Sequence, residues 1–222
     1  MPIPKQIAET WDFLHREVVW LHGRWMMYEQ LYGTSEARID ALNKVAPTFF
    51  AVLQSVLMDE AQLTLSRLGD PARTGRRENL TLETLTQQIE QLGLPPLAGE
   101  LRQKLEAFRQ SCDAIVARRN KRIAHYDLQT HQRADSEGLR GPSRAEIKTA
   151  LAALRSFMQT VYQHFENSYM AYEHFAMIDD ANSVIRTAAQ ALRYRELQDS
   201  GQIPDIDLVQ SKIYQAISKT AK

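Results

Sequence analysis

The sequence predicts an all-α protein, an up-and-down helical bundle of four to five core helices with a C-terminal helical extension. Two observations favour this class: long apolar stripes have alternating spacings of three and four residues, and the few glycines and prolines cluster between them. No segment shows the apolar–polar alternation of a strand. The predicted units are residues 1–178 for the bundle and 179–222 for the extension, packed on or beside the bundle.

The first stripe predicts one long helix that ends at Gly33. Its members keep one face of a helix apolar: Ile7, Trp11, Leu14, Val18, Leu21, Trp25, Tyr28 and Tyr32. The stripe is strongly aromatic, which indicates either a dimer interface or simple packing against the C-terminal helices.

The second stripe contains Pro47, which should divide it near Val45 into a short helix and a long one that ends near Leu68. The positions expected on its apolar face are Ile39, Leu42, Ala46, Phe49, Leu53, Val56, Glu60 and Leu63. Residues 69–79 read as a loop by composition, and Thr81 is a candidate cap for the short helix that follows.

A third stripe begins near Pro96 and runs through Leu101, Leu105, Phe108, Cys112 and Ile115 to Arg119 and Arg122. After a polar stretch, Ser143 and Glu146 form the S-x-x-E capping box of a new helix. Its apolar positions continue from Ile147 to Phe175. A further helix is expected from near Ala181 to Leu197, followed by a short amphipathic piece.

Composition excludes several classes of protein. Lysine plus arginine and aspartate plus glutamate both number 27, so no net field would recruit nucleic acid. One cysteine fits a reducing compartment, and we expect a cytoplasmic protein without a membrane span. No metal-ligand spacing, Walker motif or G-x-S-x-G elbow occurs, so we expect no metal and no cofactor.

Three charged residues lie where the apolar pattern should continue: Arg119, Arg122 and Glu60. A buried guanidinium or carboxylate needs a partner, so Glu60 is expected to pair with Arg119 or Arg122. The alternative is that all three form a purely structural ion-pair network. His15 and His22 lie off the first apolar stripe and are expected to be exposed.

His125 follows Arg119 by six residues, which on a straight helix is roughly 9 Å along the axis and about 120° around it. On such a helix the two side chains would not touch. Either the helix ends near His125, or the two side chains converge on a substrate from two sides, or they meet a partner's copies. Taken alone, His125 could also be a surface cation favoured by a helix C-terminus. Together, an imidazole and a guanidinium suit metal-independent attack of an RNA 2′-hydroxyl on its phosphodiester.

The segment RNKRIAH, residues 119–125, resembles the R-x(4–6)-H signature of HEPN domains. The segment MDEAQLTLSRLGDPARTGRRENLTLETL, residues 58–85, followed by RNKRIAHYD, resembles the HEPN branch named after the U-type abortive-infection system. The resemblance covers roughly residues 10–175, and no motif supports the segment after about residue 180.

The resemblance implies a dimerising HEPN-like bundle whose two motifs share one cleft, with metal-independent endoribonuclease activity in a toxin or phage-defence role. It implies RNA as substrate and a toxin–antitoxin or defence-system partner. Arg119 would bind the phosphate, His125 would move the proton and Asn120 would orient the cleft. Tyr126 directly follows the histidine, whereas some toxin relatives carry a modified tyrosine one position later, which here is Asp127.

Two basic clusters are candidates for RNA contact: Arg118 with Lys121 and Arg122 beside the motif, and Arg76 with Arg77 in the predicted loop. Because many HEPN domains lack catalysis, the alternative is a non-catalytic helical module that binds a nucleotide, RNA or a protein partner.

Overall fold

A computed structural model describes residues 2–119, 142–174 and 177–204 and contains a helical bundle. Helices fill most of this part of the chain: α1 (Lys5–Tyr32), α2 (Glu36–Val45), α3 (Pro47–Leu68), α4 (Leu82–Gln91), α5 (Pro95–Ser111), α6 (Asp113–Arg118), α7 (Arg144–Glu166) and α8 (Ala181–Asp199). The all-α prediction is therefore confirmed.

The core helices run antiparallel to their neighbours. On α1 and α3, Arg24 contacts Glu60 while Tyr32 bonds the Phe50 carbonyl, so the two helices run in opposite directions. Cross-contacts place α1 against α7 and α5 against α7 in the same antiparallel manner: Ile3 to Glu166, Glu29 to Lys148, Lys104 to Ser156 and Thr160 to Glu100. The up-and-down arrangement follows from these pairs.

The α1 stripe forms one side of the core, as its spacing predicts. All eight members, from Ile7 to Tyr32, are buried, and they pack with the buried residues of α4, α5 and α7. The last three members form a row of aromatic contacts: Trp25 stacks on Tyr28, and Tyr28 contacts Tyr32. This burial supports packing within the bundle for the first stripe.

The helix boundaries follow local chemistry. Pro47 begins α3 directly after α2, where its fixed φ suits a first turn. Thr81 caps α4 through a bond to the Thr84 amide, and the Ser143–Glu146 capping box begins α7. α7 ends at Glu166, because Asn167 adopts a left-handed conformation with φ 49°, so the prediction of a helix up to Phe175 is wrong.

Two other expectations need correction. The third stripe is divided at Cys112, where α5 stops and the short α6 starts. The predicted loop 69–79 carries a small antiparallel hairpin, β1 (Arg73–Thr74) and β2 (Arg77–Glu78), whose turn uses Gly75 at φ 61°. The hairpin is too short for the alternation that reveals a strand in sequence.

The buried face of α3 differs from the predicted one. Phe49 and Val56 are exposed, whereas Phe50, Ala61 and Leu65 face the core. The C-terminal half of α3 contacts α1 and α6, while the outer side of its N-terminal half lies open. Spacing failed because α3 is apolar on two sides, and only tertiary packing decides between them.

The C-terminal helix α8 packs on α1 and α2. Gln30 donates to Asp180, which caps α8, and Arg38 donates to Asn182. The division between residues 178 and 179 stays a prediction, since these contacts alone do not define a boundary.

His22 is buried rather than exposed, and its Nε2 atom lacks a hydrogen-bond partner within the described residues. Burial lowers its pKa to about 4, and the neighbouring Arg155 acts in the same direction. His15 is half-buried between Trp11 and Tyr162, where its Nδ1 lies 2.9 Å from the Tyr172 hydroxyl. Both rings therefore belong to the packing between α1 and the segment after α7.

The depressed pKa of His22 predicts a loss of stability in mild acid. Below pH 6.5 the unfolded chain binds a proton that folded His22 refuses until about pH 4. The free energy of unfolding should therefore fall as pH decreases across this window, by at most about 1.4 kcal/mol per pH unit from this residue. Denaturant unfolding of wild type and His22→Leu at several pH values measures the difference in slope.

His164→Gln is the matched control, because it removes a histidine that is exposed on α7 and leaves the buried ring of His22 in place. Equal slopes for wild type and His22→Leu would show that His22 carries no such proton deficit.

Candidate functional site

Helix α6 delivers the two described arginines of the motif to the side of α3. Cys112 and Asp113, at the start of α6, line a groove together with Ser66 and Gly69 of the α3 end. Six residues later, Arg118 reaches Asp59, which lies nearly three turns earlier on α3. α6 therefore lies against the C-terminal half of α3.

Arg119 lies at the surface and is paired. Its Nη1 atom donates to both carboxylate oxygens of Asp70 at 3.2 Å. The side chain is 21% exposed and that of Asp70 is 35% exposed, so solvent still reaches the pair. Asp70 lies in the turn directly after α3. It binds one nitrogen of the Arg119 guanidinium, a group that carries five N–H donors.

Arg118 is the more buried of the two arginines. Its Nη2 atom lies 3.3 Å from Asp59 Oδ1, and its side chain is 15% exposed. The two arginines are therefore anchored to carboxylates at different places on α3, one on the helix and one in the turn beyond it. This spreads the positive charge of the motif along the α3 surface.

Glu60 does not pair with Arg119, which corrects the sequence prediction. Its Oε1 atom lies 2.8 Å from Arg24 Nη2 and accepts a hydrogen bond from the Thr64 hydroxyl at 2.9 Å. Glu60 and Asp59 are consecutive, so they point to different sides of α3: one toward α1 and the other toward α6. The Arg119 alternative was wrong because a contact between distant helices leaves no trace in residue spacing.

The remaining motif residues lie outside the described part of the chain: Asn120, Lys121, Arg122, His125 and Tyr126. Their roles, including the alternative pairing of Glu60 with Arg122 as part of a network, stay predictions. Arg76 and Arg77 are exposed on the hairpin that follows Asp70. This hairpin lies in the loop that begins at Asp70, the partner of Arg119.

Sequence reasoning missed three residues of this site: Asp59, Asp70 and Arg24. Asp59 could have been considered as a partner for an arginine of the motif. It directly precedes Glu60, and consecutive residues on a helix point to different sides. Asp70 sits in a Gly-Asp-Pro turn that reads only as a helix stop. Arg24 precedes a core tryptophan, and nothing in its spacing indicates an ion pair.

A groove of about 550 Å³ lies beside this site. The groove is lined by Asp70, by residues of α6, and by the Glu83–Arg109 ion pair between α4 and α5. Val116, Ala117 and Pro71 make part of the lining apolar. A volume of this size fits a small planar ligand.

Cys112 also borders the groove but is no candidate nucleophile. It is buried, and burial raises the pKa of its thiol to about 12. At neutral pH it is therefore a protonated packing residue. Within residues 2–119, 142–174 and 177–204, no group of three histidine, cysteine, aspartate or glutamate side chains is arranged to hold a metal ion.

The comparison with protein families decides the class of this chain. A family profile described as AbiU2, named HEPN_AbiU2, matches residues 5–184. The chain belongs to the AbiU2 family of HEPN domains. This match spans most of the chain and every helix from α1 to α7, so the HEPN resemblance and the association with abortive infection are confirmed.

Other comparisons add no relatives: no curated protein and no solved structure matches this HEPN chain significantly. None of the helices described for it has an apolar stretch of the length that crossing a bilayer requires.

The exposure of the Arg119–Asp70 pair predicts a small contribution to stability. In a double-mutant cycle of Arg119→Ala and Asp70→Ala, we expect a coupling energy of roughly 0.2–1 kcal/mol, because solvent screens a pair of this kind. Denaturant unfolding of the two single variants and the double variant measures it.

The Arg73–Glu78 pair of the hairpin is the matched control, since it is more exposed and should couple no more strongly. A coupling of about 3–5 kcal/mol for Arg119 and Asp70 would instead identify a structural buried pair.

Proposed function

We propose that this HEPN protein is a metal-independent endoribonuclease of a toxin or phage-defence system. The observation that carries the proposal is the position of Arg119: the motif arginine is anchored by Asp70 yet solvent-accessible. An arginine held in this way is oriented before a phosphate arrives, which lowers the entropic cost of binding. Family membership supports the defence role.

In the proposed reaction, His125 takes the proton from an RNA 2′-hydroxyl, whose oxygen attacks the adjacent phosphorus. The P–O bond to the 5′-oxygen breaks, that oxygen takes a proton from a protonated His125 imidazole, and a 2′,3′-cyclic phosphate remains. Arg119 stabilises the charge that builds on the phosphorane oxygens. No electron transfer and no metal ion are required.

The other residues are assigned supporting roles. Asn120, Arg122 and Tyr126 would shape the cleft around the reacting phosphate. Arg118 and Lys121 would contact flanking phosphates, and so would Arg76 and Arg77 on the hairpin. Glu60 would act indirectly, because it holds Arg24 against α3.

The proposed active form is a homodimer. Arg119 and His125, six residues apart, need not converge within one chain if two copies of the motif face each other. The proposed substrate is RNA, and a toxin–antitoxin or defence-system component is a proposed further partner.

The proposed chemistry predicts RNA cleavage that survives chelation of metal ions and is lost in His125→Ala. Loss of a general acid or base should reduce the cleavage rate by roughly 10²–10⁴-fold. Total RNA incubated with EDTA and either protein, followed by gel analysis and detection of cyclic phosphate ends, measures this.

His164→Ala provides the control, because this exposed histidine lies on α7 outside the motif. Cleavage by His125→Ala at the wild-type rate would refute the assigned role of His125. Absence of cleavage by the wild type would favour the non-catalytic alternative.

The groove beside Asp70 supports that alternative, a helical module that binds a nucleotide without cleaving RNA. Its apolar wall suits a nucleobase, and Arg119, whose partner Asp70 lines the groove, suits a phosphate. Under this alternative, Arg119→Ala weakens nucleotide binding measured by calorimetry, while no RNA product forms with either protein.

A further inference from the structure

One groove of this HEPN bundle brings apolar and polar side chains of several elements together. It has a volume of about 550 Å³, lies between α6, the turn after α3 and the Glu83–Arg109 ion pair, and is here called the α6 groove. Val116 and Pro71 give it apolar walls. A cavity of this size, with apolar walls and a few polar groups, is the usual form of a site for a small planar group.

Arg109 forms a fixed wall of the α6 groove. Its Nε atom donates to the Gly69 carbonyl at 2.9 Å, and its Nη2 atom contacts Glu83. A guanidinium held at two points loses little further freedom when a ring stacks on it, and arginine stacks on planar bases. The groove therefore offers a preformed flat surface to a nucleobase.

A buried hydroxyl at the α6 groove is unpaired. Ser66 lines the groove and is 1% exposed, and its Oγ atom forms no hydrogen bond within residues 2–119, 142–174 and 177–204. A buried hydroxyl without a partner carries a free-energy cost that proteins seldom accept. A ligand in the groove removes this cost once the side chain turns about its Cα–Cβ bond, because a hydroxyl both donates and accepts.

Asp113 brings an available carboxylate to the same groove. It is exposed at the start of α6, and its oxygens form no hydrogen bond or ion pair in the part of the chain that the structure describes. The two other carboxylates of the groove are occupied, because Asp70 pairs with Arg119 and Glu83 pairs with Arg109. Asp113 is therefore the carboxylate that can accept hydrogen bonds from a ligand.

We infer that the α6 groove is a base subsite that selects guanine beside the RNA phosphate held by Arg119. This inference rests on the proposed ribonuclease function. Guanine alone among the four RNA bases has two adjacent N–H donors on its Watson–Crick edge, and these match the two oxygens of one carboxylate. Asp113 accepts from N1–H and N2–H, and Ser66 supplies a donor for O6.

The same carboxylate disfavours the other three bases. Uracil has a carbonyl oxygen on each side of its single donor, and adenine and cytosine have an acceptor nitrogen beside the amino group. Each of these bases would bring an acceptor toward the second oxygen of Asp113, which is an acceptor as well. A site that rejects the wrong base through an unpaired or repelled polar group discriminates strongly.

The position of the α6 groove suits the proposed reaction. Val116 lines the groove, and Arg119 follows it by three residues in helical backbone, which places the two Cβ atoms roughly 5–6 Å apart. Asp113 lies six residues before Arg119, which is roughly 9 Å along the helix axis. This separation is comparable with that between the phosphate and the Watson–Crick edge of one nucleotide. One nucleotide therefore spans from Arg119 to Asp113.

The first test compares the cleavage of two single-stranded RNA oligonucleotides in EDTA. One contains a single guanosine, and the other has inosine, which lacks the 2-amino group, at that position. The wild type should cleave beside the guanosine with a kcat/KM roughly 10–100-fold higher than beside the inosine, because one of two paired donors is lost. Asp113→Asn should lose this preference, because its amide offers one acceptor oxygen in place of two.

Asp40→Asn, which changes an exposed carboxylate on α2, is the matched control and should keep the preference of the wild type. Circular dichroism of both variants checks that their helices are intact. Equal rates of the wild type on the two RNAs, or an unchanged preference in Asp113→Asn, would overturn the guanine subsite and leave the ribonuclease assignment in place.

The second test is independent of cleavage. Calorimetry with guanosine 3′-monophosphate and inosine 3′-monophosphate should show tighter binding of the guanine nucleotide by the wild type, and loss of that difference in Asp113→Asn. This result together with an absence of RNA cleavage would keep the base subsite and refute the ribonuclease. Equal binding of the two nucleotides by the wild type would overturn the subsite.

Ser66→Ala separates a contact with the base from a structural role. Removal of an unpaired buried hydroxyl should leave the melting temperature of the free protein equal or higher. Loss of one hydrogen bond to guanine should weaken binding of guanosine 3′-monophosphate roughly 3–10-fold. A lower melting temperature with wild-type affinity would assign Ser66 to the fold and overturn its contact with the base.

Discussion

The attachment of α6 to α3 through charged side chains is the constraint on which the interpretation of this HEPN chain depends. Asp59 on α3 holds Arg118, and Asp70 in the turn after α3 holds Arg119. These contacts, together with packing of the start of α6 near Gly69, fix the position of α6 and of Arg119. Ile115 of α6 is fully buried in the core and adds to this attachment.

The same contacts bear on the alternative of a purely structural network. Ion pairs that solvent reaches contribute little to stability, so folding alone gives little reason to place two arginines there. The structure also separates Glu60 from Arg119, which the sequence placed in one network. Glu60 forms an ion pair with Arg24 on the α1 side of α3, whereas Arg119 forms one with Asp70. An anchored, accessible guanidinium is what binding of a phosphate needs.

Much of the fold was predictable because it depends on local chemistry. The long α1 stripe, the helix start at Pro47 and the capping box at Ser143 each involve residues within one or two turns of one another. The buried side of α3 was not predictable in this way. Two apolar stripes compete on that helix, and the choice between them depends on which other helices cover it.

The site shows the same division. The motif arginine was found from its place in an apolar stripe, whereas its partner Asp70, 49 residues earlier, was not. Pairings between distant elements have no fixed spacing, and a single sequence holds no signal for them. The exposed residues Phe49 and Val56 of α3 were likewise assigned to the core, since an apolar stripe in a sequence does not show which of its residues another helix covers.

The proposal that Arg119, anchored by Asp70, holds an RNA phosphate is tested most directly by RNA cleavage in the presence of EDTA, with the wild type and Arg119→Ala compared side by side. The account predicts cleavage by the wild type and a rate roughly 10²–10³-fold lower in Arg119→Ala, because a donor to the developing negative charge is lost. Cleavage by Arg119→Ala at the wild-type rate would contradict it.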